Sequence, residues 1–187
     1  EDEDSILTIL AEFGNRAHPR YGDSNGPQRY GIPEPDRSVD NSTIWEEDFN
    51  RQYYIDTLFS EEPGAISMRN YYIEQSSGRY AVNGDVSDWG RVRYNTARYG
   101  NNACGSNVCS TVWYFVQDSV NDWYERMLDS GMSQAEINDY LSAFDVWDRY
   151  DYNGNGNFDE PDGYIDHFQS VHAGEGEETG GGAFGTD

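Results

Sequence analysis

One segment of the sequence has the residue types and the spacing of an EF-hand-type calcium loop. Counted from its first Asp, oxygen side chains fall at loop positions 1, 3, 5, 9 and 12, and position 7 offers its backbone carbonyl. These residues are Asp151, Asn153, Asn155, Asn157, Asp159 and Asp162. Ca²⁺ takes roughly six to eight hard oxygen ligands, which alternate side chains can supply when they turn inward. The spacing therefore predicts a calcium site.

Three further positions of this loop bear on the prediction. Gly156 permits a sharp turn, and Phe158 is expected to pin the loop to the hydrophobic core. Position 12 carries Asp162 where a longer Glu is usual, which favours the affinity of extracellular modules, about 10⁻⁴–10⁻³ M. A single loop without a paired partner indicates a structural role for the ion. A solvated turn rich in Asn and Gly is the alternative interpretation.

The histidines and cysteines are weaker candidates for metal chemistry. His167 and His172 are five residues apart on a predicted strand, so they point to opposite faces and favour structural roles over zinc ligation. Cys104 and Cys109 have a four-residue spacer, which suits a small disulfide-closed turn better than a redox or zinc motif. Two free thiols are the alternative. A disulfide would indicate an oxidising compartment.

The charge of the chain excludes one class of partner. The 187 residues include 35 Asp and Glu against 12 basic residues, every one of them Arg, and the net charge is −23. Nucleic-acid phosphates would be repelled by such a surface. No apolar run reaches the ~18 residues that a membrane span requires. The start Glu1-Asp2-Glu3-Asp4 is unlike a signal peptide, so a secreted protein would be present in a processed form.

Hydrophobic periodicity predicts a fold of the α+β class, with strands and helices in alternating groups. Strands are predicted at 5–13, at 79–94 with a turn around Gly84-Asp85, and at 164–172. A first helix is predicted from a cap at Asn41-Ser42-Thr43 to Leu58, with Glu46, Glu47 and Asp48 in its first turn. Two more helices are predicted over 65–75 and from Ser110 to Gly131. A fourth is predicted from a capping box of Ser133 and Glu136 to Trp147. Residues 173–187 are predicted to form a flexible Gly- and Glu-rich loop.

Two runs near the end of the chain resemble a known family. The run from Asp162 to Phe168 and the run from His172 to Gly182 follow the Asp/Asn/Gly loop, and together they resemble the secreted immune inhibitor A family of zinc metallopeptidases. The strand and long loop at the start of the chain agree with it. The resemblance implies a zincin-like N-terminal subdomain, with a twisted mixed sheet, several helices and the calcium loop.

That resemblance also implies where the chemistry of the protein would lie. Residues 1–187 would be the N-terminal part of one metalloprotease catalytic domain, with the calcium-loop region at 145–165. The family binds Zn²⁺ on a helix bearing HExxH, which these 187 residues do not contain, so no catalytic residue is carried over. The chain would bind Ca²⁺, and Zn²⁺ would lie on a companion segment carrying HExxH. Without that segment the chain would be inactive toward its protein or peptide substrates.

Two other classes of function stay open at this stage. A calcium-stabilised extracellular binding or adhesion module without catalysis would use exposed Tyr and Trp to contact glycans. A glycosidase with paired carboxylates is the other class, but acids are too abundant here for any pair to be informative without geometry.

Overall fold

The computed structural model describes residues 2–23, 26, 28–100 and 110–174. The predicted disulfide of Cys104 and Cys109 and residues 175–187 of the glycine-rich segment lie outside these ranges. The described residues form a mixed α/β fold with a parallel sheet and four α-helices, which agrees with a peptidase domain.

The sheet is organised around its first strand, β1 (Asp2–Glu12). Strands β2 (Tyr80–Val86) and β3 (Gly90–Arg91) both pair with β1 in parallel, in the order β2-β1-β3. The fourth strand, β4 (His167–His172), also pairs with β1. Residues Leu7 to Ala11 are all buried, as expected of a strand with neighbours and a continuous apolar run.

The chain divides into two compact units, and the first comprises Glu1–Thr8, Arg51–Ser87 and Tyr124–Gln169. Helices α1 (Arg51–Phe59) and α2 (Met68–Gln75) pack on β2 and on each other. Helix α4 (Gln134–Leu141) buries Ile137 completely. Both Arg51 and the hydroxyl of Tyr140 contact the carboxylate of Asp85, and burial together with this carboxylate raises the pKa of Tyr140. One carboxylate thus links α1, β2 and α4.

The second unit comprises Ile9–Asn50, Asp88–Trp123 and Ser170–Asp187. Most of helix α3 (Val112–Asp129) belongs to it. Its core consists of Ala11, Phe13, Val92, Tyr99 and Phe115. The His172 ring lies 5.6 Å from that of Phe13 and 6.2 Å from that of Phe115, so this histidine packs as part of an aromatic cluster.

The first predicted helix begins later than expected. Residues 41–50 form no helix, and α1 begins at Arg51, so the predicted cap at 41–43 is wrong. The carboxylate of Asp40 accepts hydrogen bonds from the backbone N–H and the hydroxyl of both Ser42 and Thr43, which closes a local turn that competes with a helix. Trp45 donates its indole N–H to the carbonyl of Ile32, 3.0 Å away, and this holds the segment against the long loop.

The predicted turn at Gly84-Asp85 is also wrong. Both residues lie within β2 and pair with Ile6 and Leu7 of β1. Glycine is required there for close approach, because a Cβ at position 84 would overlap the carbonyl oxygen of Ile6 and would lie 2.8 Å from the ring of Phe59.

The other elements follow the sequence pattern closely. Helix α2 begins after Ser67, whose hydroxyl caps the N–H of Asn70, and α3 ends before Gly131, which has a φ of +97°. The capping box of Ser133 and Glu136 is present, and α4 passes into a 3₁₀ turn (Ser142–Phe144) short of the predicted end at Trp147. Among the described residues, no helix combines the length and the apolar character needed to cross a lipid bilayer.

We expect Gly84→Ala to destabilise the protein by about 2–4 kcal/mol, because the new methyl group must displace the backbone of β1. Urea unfolding followed by circular dichroism measures the effect. Gly100→Ala is the matched control, since nothing lies within 4 Å of a Cβ at that position. Equal unfolding midpoints for the two variants would contradict the close approach at Gly84.

Candidate metal centre

A buried carboxylate holds the beginning of the predicted calcium loop. Asp148 is only 1% exposed, and it accepts backbone hydrogen bonds from Tyr150 at 3.2 Å and from Tyr152 at 3.0 Å. Its own N–H donates to the carbonyl of Phe158, 3.0 Å away. Asp148 therefore fixes the entry of the loop and also its eighth residue, Phe158.

Two more carboxylates hold the end of the loop. Both oxygens of Asp145 are engaged, one by the N–H of Asp162 and the other by that of Gly163, each at 2.9 Å. Asp166 accepts the N–H of Val146 at 2.8 Å, and its own N–H donates to the carbonyl of Phe144. The two ends of the loop are thus joined, so residues 145–166 form one closed segment of the first unit.

Inside the loop, amide oxygens support the backbone turns. The Oδ1 atoms of Asn153, Asn155 and Asn157 each accept the N–H of the residue two positions later, at 3.0, 2.6 and 3.2 Å. The N–H of Gly156 lies 3.2 Å from both carboxylate oxygens of Asp151, which bends the chain back onto its first loop residue. Gly156 has a φ of +78°, so the glycine expected at this turn is required by its conformation.

The three asparagine amides also converge on a single carboxylate, that of Glu160. Their Nδ2 atoms lie 2.6 Å (Asn153), 2.7 Å (Asn155) and 2.9 Å (Asn157) from its oxygens. These hydrogen bonds hold the pKa of Glu160 below its ordinary value, because they favour the charged form. Glu160 is absent from the predicted ligand set, since the EF-hand spacing assigns no role to position 10. Its one signal in the sequence is its place among the acids at 159–162.

The structure thus brings Asp151 and the three asparagines into one loop and leaves Asp162 with a different partner. The carboxylate of Asp162 accepts the N–H of Tyr164 at 2.9 Å. Asp159 contributes its N–H to the turn at Asn157, as described above. The expectation that Phe158 pins the loop to the core is wrong, because its side chain is 48% exposed. Its backbone carbonyl is the anchor instead, through the N–H of Asp148.

The donor set of this loop is chemically suited to Ca²⁺ and unsuited to Zn²⁺. It offers carboxylate and amide oxygens only, which are the hard ligands of calcium, whereas zinc sites in proteins are built from His, Cys and carboxylate groups. Across the part of the chain that the structure describes, no three His, Cys, Asp or Glu side chains are grouped to hold a metal ion. His167 has its Nε2 atom 3.2 Å from Asp4 without hydrogen-bond geometry, and His172 packs among aromatic rings.

Exposed tyrosines lie beside the loop. The ring of Tyr152 is 5.7 Å from that of Tyr150 and 5.8 Å from that of Tyr164, and each of the three side chains is more than 60% exposed. Aromatic rings this close to a predicted cation site provide an optical probe for metals that accept their excitation energy.

Comparison with known proteins identifies relatives of the whole chain. The model of the family described as immune inhibitor A peptidase M6, catalytic domain, matches residues 1–187. The chain is 33% identical over 192 residues to immune inhibitor A of Bacillus thuringiensis subsp. alesti, an alignment that covers 99% of this chain and 24% of that protein. It is 40% identical over 146 residues to the pre-pro-metalloprotease PrtV of Vibrio cholerae serotype O1 (strain M66-2), covering 74% of this chain and 15% of that protein. The chain therefore spans a quarter or less of the length of these relatives, and the resemblance found in the sequence is confirmed.

We expect Asp148→Ala to lower the free energy of unfolding by about 2–4 kcal/mol, because it leaves the N–H groups of Tyr150 and Tyr152 without their acceptor. Asp148→Asn retains one acceptor oxygen and should lose less. Chemical denaturation of both variants tests this, with the exposed Asp139→Asn as the control for charge. If Asp148→Ala unfolds at the wild-type midpoint, Asp148 does not organise the loop.

Proposed function

The chain belongs to the immune inhibitor A peptidase M6 family, and from this we propose that it is the calcium-binding N-terminal part of the catalytic domain of a secreted zinc endopeptidase. The observation that carries the proposal is the match of the catalytic-domain model to all 187 residues. The relatives described above support it, because one carries the name of the family, immune inhibitor A, and the other is named a metalloprotease. Residues 145–165 are its calcium-loop region.

In this proposal the zinc ligands lie on the rest of the catalytic domain. The described residues do not fit zinc, and no HExxH occurs in the 187 residues, while the relatives are at least four times as long as their matched segments. Zinc in such a domain supplies a Lewis acid that lowers the pKa of bound water. The role of this chain is to form the parallel sheet and its packed helices, against which a companion segment bearing HExxH would complete the domain.

The calcium site would use the groups that the loop already brings together. Carboxylates of Asp151, Asp159 and Glu160 supply the charge, and the amides of Asn153, Asn155 and Asn157 supply neutral oxygens. Each amide presents a nitrogen on one side and an oxygen on the other, and its orientation follows the charge that it faces. A cation among these groups would therefore be met by amide oxygens. Asp162, at loop position 12, stays in the proposed set.

Binding of Ca²⁺ would relieve a concentration of negative charge. Seven acids fall within residues 145–166, and Arg149 is the one basic residue among them. Asp145 and Asp148 accept hydrogen bonds from backbone N–H groups, and Asp151, Asp159 and Glu160 add three more carboxylates within residues 151–160. The ion would then brace the segment between α4 and β4. Extracellular calcium concentrations match the weak affinity that the shorter Asp162 side chain favours, in line with secretion.

We expect calcium to raise the melting temperature of the protein and Tb³⁺ to bind the same loop with emission sensitised by its tyrosines. Asp151→Asn and Glu160→Gln should each weaken binding by about tenfold, because each removes one charge from the ligand set. Tb³⁺ luminescence with calcium competition measures both. Asp139→Asn, an exposed change of the same charge on α4, is the control. Unchanged affinity in Asp151→Asn would refute the site, and loss in Asp162→Asn but not in Glu160→Gln would restore the EF-hand assignment.

We expect the full-length protein to hydrolyse casein and to lose this activity with 1,10-phenanthroline, which removes zinc and leaves calcium in place. Added zinc should restore the rate, and metal analysis should find about one zinc per molecule. A serine-protease inhibitor is the control and should have no effect. Activity that persists in phenanthroline would contradict the proposed zinc dependence.

A further inference from the structure

The second unit contains two segments whose charge is opposite to that of the whole chain. Residues 13–22 contain two Arg, one His and no acid, and residues 89–117 contain three Arg and no acid, in a chain of net charge −23. Acids make up almost a fifth of the sequence, so two long acid-free segments are a departure from its overall composition.

The fold places residues 14–16 of the first segment beside residues 94 and 95 of the second. The N–H of Gly14 donates to the carbonyl of Tyr94 at 2.8 Å, and the N–H of Asn95 donates to the carbonyl of Arg16 at 3.0 Å. Arg16 and Tyr94 form a parallel bridge. These backbone hydrogen bonds therefore bring Arg16 next to Tyr94 and its neighbour Arg93.

The arginines of these segments stack on tyrosine rings. Around the ring of Tyr94 lie the guanidinium carbons of Arg16, Arg93 and Arg98, at 5.5, 5.8 and 4.9 Å from its centroid, and the ring of His18 at 5.0 Å. Arg20 lies 5.4 Å from the ring of Tyr21, which is itself 4.9 Å from His18. We call Arg16, His18, Arg20, Tyr21, Arg93 and Tyr94 the Arg–Tyr patch.

Within the part of the chain that the structure describes, most of the positive charge of the patch has no acidic partner. Arg98 has its Nε atom 3.1 Å from Asp118 and so serves as an internal support. Arg16, Arg20 and Arg93 are exposed, and the structure shows no ion pair for them among the residues it describes. The neighbouring acid Asp23 accepts a hydrogen bond from the buried Asn95 at 2.9 Å. Guanidinium groups held on ring faces lose little entropy when their N–H groups bind a carboxylate.

We propose that the Arg–Tyr patch binds the acidic side chains of an extended peptide. The inference rests on the proposed peptidase function, and it assigns acidic polypeptide segments as preferred partners. A short acidic segment suits a patch of three exposed arginines. A long polyanion would extend from the patch over a surface that is acidic elsewhere and would be repelled there.

The test measures binding apart from cleavage. Fluorescence anisotropy of the full-length protein is followed with a labelled peptide of alternating Glu and Gly in D-amino acids, which a peptidase does not cut, and with the same peptide carrying Gln for Glu. We expect the Glu peptide alone to bind, with affinity falling as salt rises. Arg16→Gln and Arg93→Gln should each weaken it by about fivefold, and the double variant by more than either. Arg79→Gln, an exposed arginine of the first unit, is the matched control and should bind normally.

Three results would overturn the proposal: equal binding of the Glu and Gln peptides, wild-type affinity in the double variant, or tight binding of heparin with none of the Glu peptide. Circular dichroism establishes that each variant is folded. Cleavage of an uncharged peptide, assayed separately, reports on the peptidase itself. If acidic segments bind while that peptide is not cut, the patch stands and the proposed function fails. If an isolated acidic segment of the protease itself competes with the Glu peptide, the natural partner of the patch is that internal segment and not a substrate.

Discussion

Hydrogen bonds from backbone N–H groups to carboxylates hold the irregular parts of this protein in place. The chain has 35 acidic residues, whose negative charges repel one another. A hydrogen bond from a backbone N–H stabilises the charge of a carboxylate and at the same time fixes the backbone. Asp40 closes the turn before α1, Glu136 caps α4, and Asp145 and Asp148 secure the two ends of the calcium-loop region. The hydroxyl of Thr43 together with backbone N–H groups lowers the pKa of Asp40, and the N–H and hydroxyl of Ser133 lower the pKa of Glu136, so both carboxylates are stabilised in the ionised form. The loop geometry proposed to receive Ca²⁺ depends on the same interaction.

Local signals in the sequence were sufficient for much of the fold. The capping box at Ser133, the apolar face of α3 and the family motifs near the end of the chain all depend on residues close together in sequence, and each was confirmed. The sequence-based predictions were wrong or incomplete where a contact with a residue distant in sequence, or with another part of the folded loop, determined the structure. Gly84 looks like a turn residue until its pairing with Ile6 is known. Glu160 has no place in the EF-hand spacing, and only the folded loop shows that three asparagine amides meet at its carboxylate.

The absence of lysine from the 187 residues gives the positive charges a particular character. A guanidinium is planar and weakly hydrated, so it can lie on a tyrosine face and still donate hydrogen bonds from its edge. Arg98 does this within the second unit, lying over the rings of Tyr94 and Tyr114 while bound to Asp118. A lysine ammonium could satisfy the carboxylate but would not stack in this way. The many aromatic residues of the chain and its exclusive use of arginine therefore go together, because guanidinium groups can pack on aromatic rings.

The division of the chain into two interleaved units has a consequence for synthesis on the ribosome. Each unit is assembled from three separate segments, and the chain passes from one unit to the other five times. The first unit waits for residues 124–169 and the second for the residues that follow 169, so neither can be completed while earlier segments alone have emerged. Within these 187 residues, an N-terminal half therefore does not contain a complete unit that could become stable before the rest is made. The apolar residues of β1 therefore leave the ribosome before β2, β3 and β4, the strands that pair with it, have been made.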